Sequence, residues 1–328
     1  MSMPASALPI TSAAPDECTR EFAADVRTDL SKPQKEMHSK YLYDELGSAL
    51  FDAITHLPEY GVTRADERLL RQHARDIADL IPDRASVIEL GSGTGRKTRH
   101  VLTALQSPDG VLRYFPIDVS HEALARCQRE LADVADVRPL QYSYLDGMAR
   151  AATHGRPRES WLILFLSSTI GNFEPERAVE FLRDLREWLV PGDMLLIGAD
   201  LVKDRERMLL AYDDPTGVTA AFNLNVLGRI NRELGANFDL AKFQHEARWN
   251  ETERRIEMHL RSRVDQSVFI PEADFTVRFQ AGETIWTESS HKFHPHEMFE
   301  IAAQTGFCVR AQWVDQEWPF VESLWMVR

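Results

Sequence analysis

The sequence predicts an α/β protein in which a doubly wound, Rossmann-like sheet is joined to a second domain of α+β type. Three observations carry this expectation. Short apolar runs alternate with helical stretches from Ser86 to Ala199. A glycine-rich turn, with Gly91, Gly93 and Gly95, follows the first of those runs. The alternation then stops after Asp200, and helical and afterwards strand-like stretches take over. Strand–helix alternation is the signature of a parallel sheet covered by helices on both faces.

Taken in order, residues 1–16 are rich in Ala, Ser, Pro and Thr and are expected to form a disordered tail. Glu17–Ser31 places Phe22, Val26 and Leu30 four residues apart, which predicts a helix. The stretch from Lys40 holds a short helix, a break at Leu57–Pro58 and the start of a longer helix near Thr63. Strands are expected at Ser86–Leu90, Leu112–Asp118, Leu140–Tyr144, Trp161–Ser168 and Met194–Ala199, and helices at Arg96–Leu105, Glu122–Ala135 and Glu176–Leu189. Lys203–Gly235 is largely helical, and Arg254–Val264, Ser267–Ile270 and Phe275–Thr287 alternate like antiparallel strands. A helix at His296–Thr305 and strands at Cys308–Trp313 and Glu322–Val327 suit the closing half of a nucleotide-binding sheet. The expected division is one domain of 63–201 plus 291–328 and a second of 17–62 plus 202–290.

Composition narrows the function. The net charge of −13 opposes binding to nucleic acid or anionic lipid and favours a small-molecule partner. The strongly apolar run Trp161–Leu166 is too short for a membrane span, and the start of the chain lacks the pattern of a secretory signal. Cys18, Cys127 and Cys308 lie far apart, without the spacing of a metal site or a disulfide framework. A cytoplasmic protein, monomeric and without bound metal, is the expectation.

The cofactor signal is VIELGSGTGRKT, Val87–Thr98, in which a strand carrying Glu89 runs into the turn and a helix follows. Glycines there let the backbone approach a ligand closely. The dinucleotide fingerprint requires a third glycine three positions after the second, and that position is Arg96. The next strand ends in FPIDVS, placing Asp118 25 positions after Gly93, where a carboxylate accepts hydrogen bonds from a ribose diol. QYSYLDGM follows the third strand, with Tyr144, Asp146 and Gly147 as candidates for the adenine face and edge. The E-x-G-x-G-x-G form resembles motif I of S-adenosylmethionine-dependent methyltransferases, with Gly91, Ser92 and Gly93 at the cofactor.

Further blocks make the resemblance more specific. YLYDELGSALFDAITHLPEY, ELGSGTGRKTR, PIDVS, STIGNF, GADLVKD, AYDDPTGVTAAFNLNVL, RIEMHL and AGETIWTESSHKF together resemble the histidine Nα-methyltransferases of ergothioneine biosynthesis, from about Tyr41 to the C-terminus. The resemblance implies a Rossmann-like methyltransferase sheet with a second, α+β substrate-binding domain, and histidine held between the two. It implies S-adenosylmethionine as cofactor, with Gly91, Lys97 and Asp118 as contacts. Asn172 and Tyr212 would hold the substrate carboxylate. Tyr60, Glu288 and Ser290 would lie at the imidazole and amine end, Tyr43 near the methyl-accepting nitrogen, and Met258 in the pocket wall. Tyr43, Tyr60 and Asn172 form the expected catalytic set. Hercynine, the trimethylated betaine, would be the product and the first intermediate of the pathway. The chain departs from the family in three places: EYGVT replaces an EYY-P-T stretch, Ser167 replaces the glycine often found before STIGN, and Asp146–Gly147 lacks the aromatic of an acidic-aromatic adenine pair.

The chemistry of these residue types agrees. An amide and a phenol suit a zwitterion's carboxylate, and each imidazole nitrogen needs a partner. Glu288 and Ser290, two apart on a strand, face the same side. Taken singly, each has a bland alternative: Asn172 as a helix cap, Tyr212 and Met258 as core, Glu288 as strand surface, Asp118 as a cap, Tyr144 as packing. The pair His294 and His296 lacks a third ligand of supporting spacing. Two other functions fit part of the pattern. Nα-methylation of a tryptophan-like amino acid is disfavoured by Glu288, and a non-catalytic adenosyl sensor by the presence of Tyr43, Asn172 and Tyr212.

Overall fold

The computed structural model describes residues 11–12, 15–82, 84–106, 111–155 and 160–328. The chain forms two compact units. The first contains Thr11–Ser12, Val62–Leu201 and Phe293–Arg328, and the second contains the described part of Ala13–Gly61 with Val202–Lys292. The crossing points follow secondary structure. Val62 opens the helix Val62–Leu80 and so belongs to the first unit. His291 and Lys292, which the sequence reading gave to the sheet domain, complete and follow the strand Thr284–His291 and belong to the second unit.

The first unit is built on a sheet in the order Thr11–Ser12, Leu140–Gln141, Arg113–Asp118, Ala85–Leu90, Ser160–Phe165, Met194–Asp200, Phe320–Val327, Phe307–Asp315, with Asp136–Val137 also pairing to Arg113–Tyr114. Pairing is parallel from Thr11–Ser12 through Met194–Asp200. Phe320–Val327 is antiparallel to both of its neighbours. The central strands are buried on both faces, as their continuous apolar runs require: Ile88, Ile163, Leu195 and Ile197 lie in one core layer, Val87, Leu162, Leu164 and Leu196 in the other. The strand order reverses between Arg113–Asp118 and Ser160–Phe165, on either side of Ala85–Leu90, and the crevice beyond the carboxyl ends of those strands is where such sheets bind ligands.

The second unit has a sheet in the order Lys35–Glu36, Thr284–His291, Arg255–Ser262, Phe243–Asn250, and a separate hairpin of Gln266–Ile270 with Phe275–Phe279. Helices Glu45–Thr55, Arg205–Tyr212 and Val218–Leu234 accompany it. Asp44 caps the first of these by accepting from the Gly47 amide at 2.7 Å. Asn225 on the third donates to the same carboxylate at 2.6 Å and Arg232 pairs with it, so Asp44 pins the two helices together beside Tyr43.

Several expectations are corrected. The tail reading over 1–16 falls largely outside the described residues; within them Thr11–Ser12 pair with Leu140–Gln141 and a helix begins at Pro15. The strand expected at Leu140–Tyr144 ends at Gln141, and Tyr144 opens the helix Tyr144–Ala152. Phe275–Thr287 is two strands separated by a turn at Gly282 rather than one. The strand Phe243–Asn250 was not expected, because it is an edge strand on which only Phe243 and His245 are buried.

Candidate functional site

In the first unit the glycine-rich turn leaves the end of Ala85–Leu90 with Gly91, Gly93 and Gly95 all at positive φ, between 53° and 74°. Gly91 and Ser92 donate their amides to the Ile117 carbonyl, at 2.8 and 3.2 Å. A Cβ added at Gly93 would have nothing within 4 Å, so this glycine faces open space. A Cβ at Gly95 would lie 2.7 Å from both Cys127 Sγ and Leu131 Cδ1, so that glycine serves internal packing.

Asp118 ends the neighbouring strand and turns back to the loop. Its Oδ2 accepts the Gly93 amide at 2.9 Å and its Oδ1 the Ser120 amide at 2.9 Å. Burial pushes its carboxyl above the ordinary range, against the lowering effect of those amides. Each oxygen retains acceptor capacity, which suits the two hydroxyls of a ribose. Glu89 lies below: Thr98 Oγ1 donates to both of its oxygens, at 2.9 and 2.8 Å, and Tyr114 donates to Oε2. Burial raises its carboxyl to about 7.

The remaining cofactor candidates occupy distinct positions. Tyr144 lies beside the turn, since a Cβ at Gly91 would come 3.5 Å from its hydroxyl oxygen, and its ring joins Phe165, Phe173 and Phe181 in an aromatic wall. Asp146 is exposed and accepts from Ser143 Oγ at 2.5 Å in the first turn of its helix. Gly147 is buried, and a Cβ there would come 2.5 Å from Ile117 Cγ2, so close packing against that strand requires glycine. Lys97 forms an ion pair with the buried Asp66 and donates to Ser167 Oγ. Ser167 has φ +60°, a backbone state that glycine adopts without strain, which explains why the family often has glycine there. Asn172 ends the turn Thr169–Asn172 that follows Ser160–Phe165.

The second unit gathers the other candidates. Glu288 and Ser290 lie on Thr284–His291, and Met258 is the direct cross-strand partner of Glu288, next to a bulge that shifts the register before His259. Tyr43 Oη donates to Glu288 Oε1 at 3.3 Å. Tyr212 Oη and Ser290 Oγ are 2.7 Å apart. Tyr60 meets Tyr212 edge-on, ring centroids 6.0 Å apart, and Phe51 and Phe222 complete an aromatic lining around Tyr43. Burial pushes the Glu288 carboxyl up to about 7, while the Tyr43 hydroxyl and the charge of Lys292 act to lower it. The unit therefore brings Tyr43, Tyr60, Tyr212, Met258, Glu288 and Ser290 onto connected elements.

Sequence reasoning missed Lys292, whose Nζ donates to Tyr212 Oη at 2.9 Å and Ser290 Oγ at 2.7 Å. The signal was available, because 288, 290 and 292 alternate along one extended stretch. It also missed His245, whose Nε2 lies 2.8 Å from the Tyr212 carbonyl. Among the described residues no group of three His, Cys, Asp or Glu could hold a metal, and no helix is long and apolar enough to cross a membrane.

The sheet, with its glycine turn and the carboxylate of Asp118 at the end of the next strand, is of the nucleoside-binding α/β type. A profile of histidine-specific, S-adenosylmethionine-dependent methyltransferases matches residues 22–327, and the chain belongs to that family. It is 41% identical over 315 residues to a histidine N-alpha-methyltransferase of Mycolicibacterium smegmatis, an alignment covering 95% of this chain and 96% of that one. It is 43% identical over 305 residues to a histidine N-alpha-methyltransferase of Mycobacterium tuberculosis, covering 92% and 93%. An Aspergillus flavus N-methyltransferase, imqF, is 29% identical over 303 residues, covering 89% and 81%.

Proposed function

We propose that the chain methylates the α-amino group of L-histidine, in three successive transfers to hercynine, as the first step of ergothioneine biosynthesis. The observation that carries this reading is the pairing of Glu288 and Ser290 on one face of Thr284–His291, a carboxyl and a hydroxyl for the two ring nitrogens, beside Tyr43 and Tyr212. It agrees with the names of the two mycobacterial relatives.

When bound, S-adenosylmethionine supplies a methyl group made electrophilic by its sulfonium. The chain's own residues must then bind, align and keep the amine neutral. Asp118 would hold the ribose and the turn at Gly91, Ser92 and Gly93 would admit the ligand backbone-close, with Tyr144 and Lys97 as further contacts. Tyr212 donates to the substrate carboxylate; the family resemblance implies the same role for the Asn172 amide. Tyr43 directs its proton to Glu288 Oε1, so its oxygen presents lone pairs to an amine N–H and orients the nitrogen. Tyr60 and Met258 bound the ring and amine. Orientation of this kind supplies roughly 7–11 kcal/mol of a barrier. Desolvation and a neighbouring sulfonium both disfavour the ammonium form of the amine.

The test is the mass of the product formed from histidine and S-adenosylmethionine. Histidine carrying three added methyl groups is expected. Release of S-adenosylhomocysteine with another amino acid but not with histidine would replace the substrate. Cofactor binding without turnover of any amino acid would make the chain a sensor.

A further inference from the structure

Lys292 is only 2% exposed, and a lysine is almost never fully buried unless its charge is engaged. It follows Glu288 and Ser290 at the same two-residue interval, on the side of the strand that carries them. Its ammonium donates to Tyr212 Oη at 2.9 Å and to Ser290 Oγ at 2.7 Å, and these two oxygens are themselves 2.7 Å apart. The same ammonium lies 4.7 Å from the Tyr212 ring centroid. Tyr212 is also held through its backbone: its carbonyl lies 2.8 Å from His245 Nε2, and His245 Nδ1 lies 2.9 Å from Asn223 Nδ2. With the amide as donor to Nδ1, Nε2 carries the proton and donates to Tyr212.

We propose that Lys292 is a positioning residue of the amino-acid site, whose ammonium holds the Tyr212 and Ser290 oxygens as acceptors and turns both hydroxyl protons away from itself, so that Tyr212 can donate to a carboxylate and Ser290 can accept an imidazole N–H. The inference rests on the histidine reading and deepens it. Each hydroxyl has one proton and two lone pairs. Lys292 has no acceptor, so it takes one lone pair from each oxygen. Across the Tyr212–Ser290 bond only one of the two can donate. If Tyr212 donated to Ser290, it could not donate to a carboxylate. With a substrate carboxylate accepting from Tyr212, Ser290 donates to Tyr212 across that bond. Ser290 has then spent its proton and keeps one lone pair, so it can meet a ring nitrogen only as an acceptor. The other, bare ring nitrogen falls to Glu288, which as a protonated carboxyl donates to it, and the tautomer of the bound ring is fixed. Without the ammonium, either hydroxyl can turn its proton into the space that Lys292 leaves.

The test is a set of variants read by histidine KM, kcat and melting temperature, with S-adenosylhomocysteine affinity as a control on the cofactor side. Lys292→Met should raise the histidine KM by about tenfold or more, the size of one lost charge-assisted hydrogen bond, and change kcat much less, because ring and carboxylate recognition is equal in ground and transition states. Lys292→Gln, which retains N–H donors without the charge, should recover most of that loss. In a Tyr212→Phe background Lys292→Met should add little, since the proton it directs is gone. Equal damage from Met and Gln, or a fully additive penalty with Tyr212→Phe, would overturn the proposal. Should the Met variant not fold, ζ-nitrogen NMR of wild type decides: the lysine resonance should shift when histidine saturates the site, and an unmoved resonance would remove the role. Failure of wild type to bind histidine would instead remove the histidine reading itself.

Discussion

The Gly93 amide donates to Asp118 Oδ2 at 2.9 Å, so the residue expected to hold a ribose also fastens the turn expected to receive the cofactor. Asp118 Oδ1 in turn accepts the Ser120 amide, and Ser120 Oγ caps the next helix by accepting from Ala123 at 3.3 Å. One carboxylate thus ties the ends of two adjacent parallel strands together.

Asp118→Ala and Asp118→Asn should separate the two jobs. Alanine removes the ribose acceptors and leaves two amides without their partner, at a cost of about 1–3 kcal/mol for each that stays dry. It should weaken S-adenosylhomocysteine affinity by roughly tenfold or more and lower the melting temperature. Asparagine retains one acceptor oxygen and should recover part of the melting temperature but little of the affinity. Calorimetry and thermal melting of both variants decide. Unchanged affinity in Asp118→Ala would make Asp118 a loop fastener alone.

The glycines of the turn predict opposite phenotypes two residues apart. Gly93→Ala places a methyl in open space at φ +53° and should cost about 1–2 kcal/mol of backbone strain. Its main effect should be on cofactor affinity, because the methyl points where a ligand approaches. Gly95→Ala drives a methyl into Cys127 and Leu131 and should lower the melting temperature more than Gly93→Ala does. The ratio of affinity loss to stability loss, measured for both, should be clearly larger for Gly93→Ala.

Legibility in the sequence followed burial. The strands Ala85–Leu90, Ser160–Phe165 and Met194–Asp200 read as continuous apolar runs because both faces are covered. Phe243–Asn250 carries polar and charged residues at an edge, so the alternating pattern was too weak to register. The alternation of Leu140, Tyr142 and Tyr144 suggests a longer strand, whereas the strand ends at Gln141 and Ser143 is the N-cap of the helix that Tyr144 opens. Glu288 and Ser290 were legible through the family resemblance, with strand periodicity placing both on one face; the same periodicity extends to Lys292, but a lysine beyond a strand ordinarily points to water. The ion pair of Lys97 with Asp66 joins residues 31 positions apart and has no local signal.

Glu89 should leave a mark on stability against pH. Its carboxyl is raised to about 7 in the folded chain, above its ordinary value of 4.5. Between those values the folded state keeps a proton that the unfolded state has released, so stability falls as pH rises, by at most about 1.4 kcal/mol per pH unit, and levels off above 7. Asp214, lowered to about 2 by Thr216 and backbone donors against its burial, acts in the opposite sense: its stability is lost as pH falls from 3.8 towards 2. That window lies below the one for Glu89. Glu89→Gln should be less stable throughout, because its amide NH2 faces the Thr98 and Tyr114 donors, but should show a shallower decline between pH 4.5 and 7. Denaturant titrations of both proteins across that window check it; equal slopes would mean that Glu89 ionises normally.

Substrate choice should turn on Glu288 and the residue opposite it. Met258 is its cross-strand partner and is 2% exposed, so the two side chains bound the same patch of the sheet. Glu288→Val would leave an imidazole nitrogen without its partner, a loss of about 1–3 kcal/mol, more if that bond is charged. It would also remove a carboxyl that an indole has to desolvate. Histidine kcat/KM should therefore fall, chiefly through KM, and tryptophan should gain relative to histidine. Adding Met258→Val widens the wall at the position directly across the strand, and because the residues touch one space the two changes should reinforce each other beyond simple addition. Asn172→Ala should differ in kind, lowering activity on every amino acid because it acts on the carboxylate they share. The measurement is kcat/KM for histidine and tryptophan on wild type, the three single variants Glu288→Val, Met258→Val and Asn172→Ala, and the double variant Glu288→Val/Met258→Val. A histidine-to-tryptophan ratio that Glu288→Val leaves unmoved would show that Glu288 does not read the ring, and would return the choice of substrate to the aromatic lining of Tyr43, Phe51, Tyr60 and Phe222.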